Sequence, residues 1–113
     1  MKQVKAIIKP HMSARVIGAL HDLPHFPGLT IFEVSGQGRG SGPGGAYVSS
    51  EDTIFENKSR VVEVLCADDA AEGIAETIRT AARTGTHGDG IIVITDVASV
   101  IRIGSGERQE QAV

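Results

Sequence analysis

The sequence predicts an α+β fold, with one four-stranded antiparallel sheet carrying two helices on a single face. Three observations lead there. Short runs at Lys2–Lys9, Leu29–Val34 and Arg60–Cys66 divide their residues between two faces with the period of a strand, and Ile91–Ile94 is a continuous apolar β-branched run. Two segments repeat apolar residues at helical spacing, around Val16–Leu20 and Ala70–Ala82. These elements follow one another as strand, helix, strand, twice over, with a glycine-rich stretch between the halves. Each half then reads as a βαβ unit. The length of 113 residues suits one domain over 1–113.

Each element has a local cause. In the first strand Val4, Ala6 and Ile8 share one face, Lys5 and Ile7 the other, and Pro10 ends it. Ser13 is placed to cap a helix running from Ala14 to about His21. Met12 and Ile17 have the spacing of a hydrophobic staple, and Val16, Ile17 and Leu20 form the apolar face. Pro24 and Pro27 stop that helix. Strand two follows at Leu29–Val34.

Gly36 to about Glu56 reads as one long loop, because its Gly/Ser/Pro composition cannot bury enough apolar surface to offset ordering. In the third strand Val62, Val64 and Cys66 share a face; Glu63 conflicts with its apolar surroundings and reads as an edge or rim position. Asp69 and Glu72 have capping-box spacing for the second helix, whose Ala70, Ile74, Ile78 and Ala82 face the core. Gly85 is placed to cap its end. Ile91–Ile94 and a second short run, Val100–Ile103, come next, and the polar tail Gly104–Val113 reads as loose. The order gives a ferredoxin-like βαββαβ sandwich. Apolar residues occupy both faces of several strands, and one helix layer cannot cover both, so a homo-oligomer is expected.

Composition limits the function. A net charge of -3 and 4% aromatic residues argue against nucleic-acid binding by phosphate attraction or base stacking. Cys66 is the one cysteine, so no internal disulfide forms. The opening MKQVKAIIKPH lacks the apolar region of a signal peptide, and no apolar run nears the ~20 residues that span a bilayer. A cytoplasmic protein without direct membrane insertion is expected.

The richest motif is the turn Thr84-Gly85-Thr86-His87-Gly88-Asp89-Gly90, followed at once by Ile91-Ile92-Val93-Ile94. Its glycines allow positive φ and close approach, and exposed N–H groups in such a turn can form an anion nest. The bland alternative is an ordinary helix-to-strand connection. No catalytic-triad or zinc-protease spacing occurs, and the Gly36–Gly45 run lacks the Lys-Ser/Thr ending of a P-loop. Glu63 and Asp89 form an acid–base pair only if the fold brings them together. Among the histidines, His21 and His25 are four apart but Pro24 interrupts the helix they would share, while His87 sits in the turn.

The chain resembles the PII signal-transduction proteins. The residues that carry the resemblance are MKQVKAIIKP, Glu33-Val34 with Gly36-Gln37-Gly38-Arg39, Val62-Glu63-Val64, Ile78-Arg79-Thr80-Ala81, Thr84-Gly85 with Gly88-Asp89-Gly90, and Asp96-Val97 with Val100-Ile101-Arg102-Ile103. The resemblance implies a homotrimer that binds adenine nucleotide, ADP or ATP with or without Mg²⁺, in clefts between subunits. It also implies a long T-loop (about 37–57) that docks on a target enzyme or membrane transporter, in nitrogen- or energy-linked regulation and without enzymatic activity.

Residue by residue, Ile7, Gly36, Gln37, Gly38 and Arg39 match the cleft at the T-loop base. Gly28, Leu29 and Thr30 match the segment lining the nucleotide, and Glu63 and Leu65 match positions beside the adenine. Gly88, Asp89 and Gly90 match the B-loop (about 84–90) that holds phosphates and ribose. Arg102 matches an arginine that reaches the phosphates across the subunit boundary.

The departures fall on ligand positions. Gly40 stands where relatives that bind 2-oxoglutarate have glutamine, which argues against 2-oxoglutarate sensing. Ile91 and Gly104 replace phosphate cations, and Lys58 lies about one residue out of register with another. Each lost charged hydrogen bond costs ~1.5–3 kcal/mol, so weaker triphosphate binding and a preference for ADP or AMP are expected. Asp52 stands near the T-loop tyrosine that some relatives modify. Tyr47, Ser49 and Ser50 are the neighbouring hydroxyls. The rival reading in the same fold is a metal-responsive CutA-like trimer, linked to metal or other solute transport without nucleotide sensing.

Overall fold

A computed structural model describes residues 1–36 and 58–113. The stretch 37–57, expected to be a long loop, lies outside them, with Gln37, Gly38, Arg39, Gly40 and the Tyr47, Ser49 and Ser50 hydroxyls. The described elements are β1 (Lys2–Ile8), α1 (Ser13–His21), β2 (Thr30–Ser35), β3 (Lys58–Cys66), α2 (Ala71–Ala82) and β4 (Gly90–Asp96). The strands form one sheet in the order β2-β3-β1-β4 with every neighbouring pair antiparallel. This is the ferredoxin-like βαββαβ arrangement.

Period-two patterning explains the faces. Ile31, Val62, Ala6 and Ile92 align across the four strands. Val4 lies between Val64 and Ile94 in the next row on the same face. Val16 and Leu20 from α1 and Ile74 and Ile78 from α2 close over this face to form the buried core. Leu20 has no exposed surface. Leu20→Ala is expected to lose ~2–5 kcal/mol, read as a lower urea midpoint with an unchanged slope.

Several local expectations are corrected. A 3₁₀ turn at Pro10–Met12 runs straight into α1, so Ser13 is the first helical residue rather than its cap. Its hydroxyl donates back to the Pro10 carbonyl at 2.6 Å. A second 3₁₀ turn at Asp68–Ala70 precedes α2, and the Asp69/Glu72 capping box does not form. Asp68 instead binds the N-terminal ammonium of Met1 at 2.6 Å. Arg83 leaves α2 in extended backbone, and the positive φ of Gly85 bends the following turn.

Val100–Ile103 makes only an isolated bridge, Ile101 to Arg108, and the tail is not loose. Residues 109–112 form a 3₁₀ turn that buries Ala112, and the Arg102 Nε–H donates to the Ala112 carbonyl at 2.9 Å. The tail folds because it returns hydrogen bonds and one apolar anchor to the chain, which its polar composition does not reveal. Cys66 sits in the core, where burial pushes its thiol pKa up.

Candidate functional site

The second face of the sheet carries no helix. Phe32, Val61, Ile7 and Ile91 form one row across it. The next row is Thr30, Glu63, Lys5 and Val93. Phe32 is 42%, Leu65 38%, Val93 41% and Ile91 60% exposed. An apolar surface of this kind on one chain marks an interaction face. Glu63 is not at an edge, as its charge had implied, because β3 lies inside the sheet between β2 and β1. It is half-buried and accepts a hydrogen bond from Gln3 Nε2 at 2.9 Å.

One end of the sheet gathers the end of β1, the start of β4, the start of β3 and the end of β2. Ile7 pairs with Ile91, Ile8 with both Gly90 and Arg60, and Arg60 with Glu33. Gly36 follows β2 at this end, so Gly36 and the 84–90 turn lie at the same end of the sheet. Gly90 makes the junction possible. Its φ is +113°, and a Cβ there would stand 1.8 Å from the Ile7 carbonyl oxygen.

The turn is closed by its own polar groups. The Asp89 carboxylate accepts the N–H of Thr84 at 2.9 Å and of Gly85 at 3.1 Å, and also the Thr84 hydroxyl. The Thr86 N–H donates to the Thr84 hydroxyl at 3.2 Å. Lys9 Nζ reaches in from the end of β1, 3.1 Å from Asp89 Oδ1, 3.1 Å from Thr84 Oγ1 and 2.8 Å from Thr86 Oγ1. The amides of Thr84, Gly85 and Thr86 are thus used inside the turn; those of Gly88, Asp89 and Gly90 take no part in these bonds.

The Thr84 hydroxyl, followed by the Thr84 N–H, Lys9 and the Gly85 N–H, holds the Asp89 carboxyl far below the usual aspartate range. A depressed folded-state pKa gives stabilisation that is complete above the unfolded value of ~3.9 and is lost progressively as pH falls from there through the lower folded value. The Asp89 carboxyl carbon is therefore expected to show no NMR titration step near pH ~4, where an unpartnered aspartate titrates. A step there would show an unpaired carboxylate.

The expected site residues divide. Ile7, Gly36, Gly88, Asp89 and Gly90 lie at the loop end of the sheet, whereas Thr30, Glu63 and Leu65 lie further along the open side. Gly28 has φ +103° in the segment entering β2, and the Leu29 side chain packs against the helix-side core rather than the open face. The Arg102 side chain is engaged with the tail carbonyl rather than with the turn. Glu63 and Asp89 do not make an acid–base pair: Glu63 is bound by Gln3 and Asp89 by its own turn. Among the described residues, no group of three or more His, Cys, Asp or Glu side chains gathers as a metal would require. His21 meets Phe26 edge-on, with ring centroids 5.4 Å apart. A wide groove lined by Ala14, Gly18, Gly73 and Thr77 runs between the helices, on the side away from these residues.

Lys9 was missed as part of the turn. It is 77 residues from Thr86 in sequence, and only the β1–β4 register brings them together. One step beyond the Ile8–Gly90 pair sets Lys9 opposite Asp89, so a correct register would have found it.

The model of the family "Nitrogen regulatory protein P-II" matches residues 1–107. The chain belongs to the P-II family. Nitrogen regulatory protein P-II of Rhizobium meliloti (strain 1021) is 40% identical over 113 residues, covering all of both chains. That of Nostoc punctiforme is also 40% identical over the full length of both. Nitrogen regulatory protein P-II 1 of Escherichia coli (strain K12) is 37% identical over the same span. Membership assigns the chain a regulatory role in signal transduction. Within this P-II chain, no helix of the described residues is long and apolar enough to cross a membrane.

Proposed function

We propose that the chain is a cytoplasmic P-II regulator that binds ADP or ATP between the subunits of a homotrimer. It controls a membrane transporter or metabolic enzyme through residues 37–57 and catalyses no reaction of its own. One observation carries this reading. Ile7, Thr30, Glu63 and Leu65 lie on an open apolar sheet face that the chain's own helices leave uncovered, with Gly36 and Gly88–Gly90 at its loop end. Gly28–Thr30 belong to the β2 edge and Gly88–Gly90 to the β4 edge, with β3 and β1 between them. Strands lie ~4.8 Å apart, so the two edges are separated by ~14 Å. Subunits meeting through their open faces cover the apolar rows and bring one chain's β4 edge toward another's β2 edge.

In that cleft the 84–90 turn offers backbone N–H groups to phosphate, Glu63 and Leu65 border the base, and Arg102 supplies a cation. Mg²⁺ accompanies ATP, while Gly40 removes a side chain that 2-oxoglutarate sensing uses. Calorimetric titration with ADP, ATP and AMP, with and without Mg²⁺ and 2-oxoglutarate, tests this. Micromolar binding of adenine nucleotide that ignores 2-oxoglutarate is expected. Absence of binding by all three nucleotides would overturn the reading.

A further inference from the structure

We infer that Lys9 is a positioning residue for the nucleotide loop, holding the 84–90 turn in its binding shape before any ligand arrives; this rests on the nucleotide reading above. An ammonium group has three N–H donors and no acceptor. Here three oxygens stand around it: Thr84 Oγ1 at 3.1 Å, Thr86 Oγ1 at 2.8 Å and Asp89 Oδ1 at 3.1 Å. Its donors are spent on the turn, so Lys9 does not act here as a direct phosphate ligand.

The Lys9 side chain is 21% exposed and Asp89 27% exposed, so both groups are partly covered at the surface. The aliphatic stem supports the turn as well. A Cβ built on Gly88 would lie 3.9 Å from Lys9 Cε, which places the stem beside the backbone offered to phosphate. The anchor is rigid at its base. Lys9 follows the last paired residue of β1, Ile8, and its carbonyl accepts the Met12 N–H at 3.0 Å. Lys9 thus joins a fixed strand end to a loop whose glycines would otherwise sample many shapes. Two cations of the typical phosphate site are replaced here, by Ile91 and Gly104, so a loop held in advance has more influence on affinity.

The test compares wild type, Lys9→Met, Thr86→Val and the double variant as full-length protein. Without nucleotide, Lys9→Met is expected to speed amide hydrogen exchange across residues 84–90 about tenfold while leaving β1–β3 amides unchanged. With ADP, Lys9→Met is expected to weaken binding about tenfold, and the double variant to bind no more weakly than Lys9→Met alone, because both changes undo one network. Unchanged exchange in the free protein overturns the proposal, as do affinity losses that simply add. If wild type binds no nucleotide, the functional reading fails. The exchange comparison then still decides the role of Lys9: faster exchange supports the anchor and unchanged exchange overturns it.

Discussion

Gly90→Ala is expected to destabilise the protein by ~3 kcal/mol or more, a large share of the ~5–15 kcal/mol that holds a typical domain folded. Two costs combine. The φ of +113° is a backbone conformation that a side chain strongly disfavours, and the new Cβ would lie 1.8 Å from the Ile7 carbonyl oxygen and 2.9 Å from its carbon. Both obstacles are backbone atoms, so no rotamer change relieves them. β4 must draw away from β1, giving up pairs at the start of that ladder, Ile8–Gly90 and Ile7–Ile91. Gly88→Ala is the matched control. Its φ is +84°, yet its nearest obstacle is the flexible Lys9 Cε at 3.9 Å, so only the conformational cost of ~1–2 kcal/mol applies. Urea unfolding of the two variants checks the difference. Equal losses would show that the approach to Ile7 is not the deciding contact.

Ile91→Asp is expected to leave single chains in place of the proposed trimer. Ile91 is 60% exposed in one chain and ends the apolar row that starts at Phe32. In the monomer an aspartate there is solvated and costs little. In an interface made by this face it becomes a buried unpaired charge, with a penalty of several kcal/mol per copy. Sedimentation velocity separates the cases. A variant that sediments as wild type would place the subunit contact elsewhere.

The strands were legible because their signal is local. Val4, Ala6 and Ile8 alternate with Lys5 and Ile7, and β1 divides its faces accordingly. The unsupported sheet face was legible for the same reason. Residues such as Ile7 and Ile91 are apolar where a solvent-facing strand would be polar. The turn at 84–90 stood out by its glycines, but its closure did not. Asp89 turns its carboxylate inward onto Thr84 and Gly85, and Lys9 arrives from a distant strand. Helix starts were misread because 3₁₀ turns at Pro10–Met12 and Asp68–Ala70 took the place of side-chain caps. The tail was misread because one alanine and a few hydrogen bonds hold it, and polar composition carries no trace of them.

Native mass spectrometry of the full-length protein with ADP tests the central claim most directly, since it counts chains and nucleotides together. The account predicts a complex of three chains carrying up to three nucleotides, with single chains free of nucleotide. Single chains that hold ADP, or three-chain complexes that hold none across a micromolar titration, would contradict it.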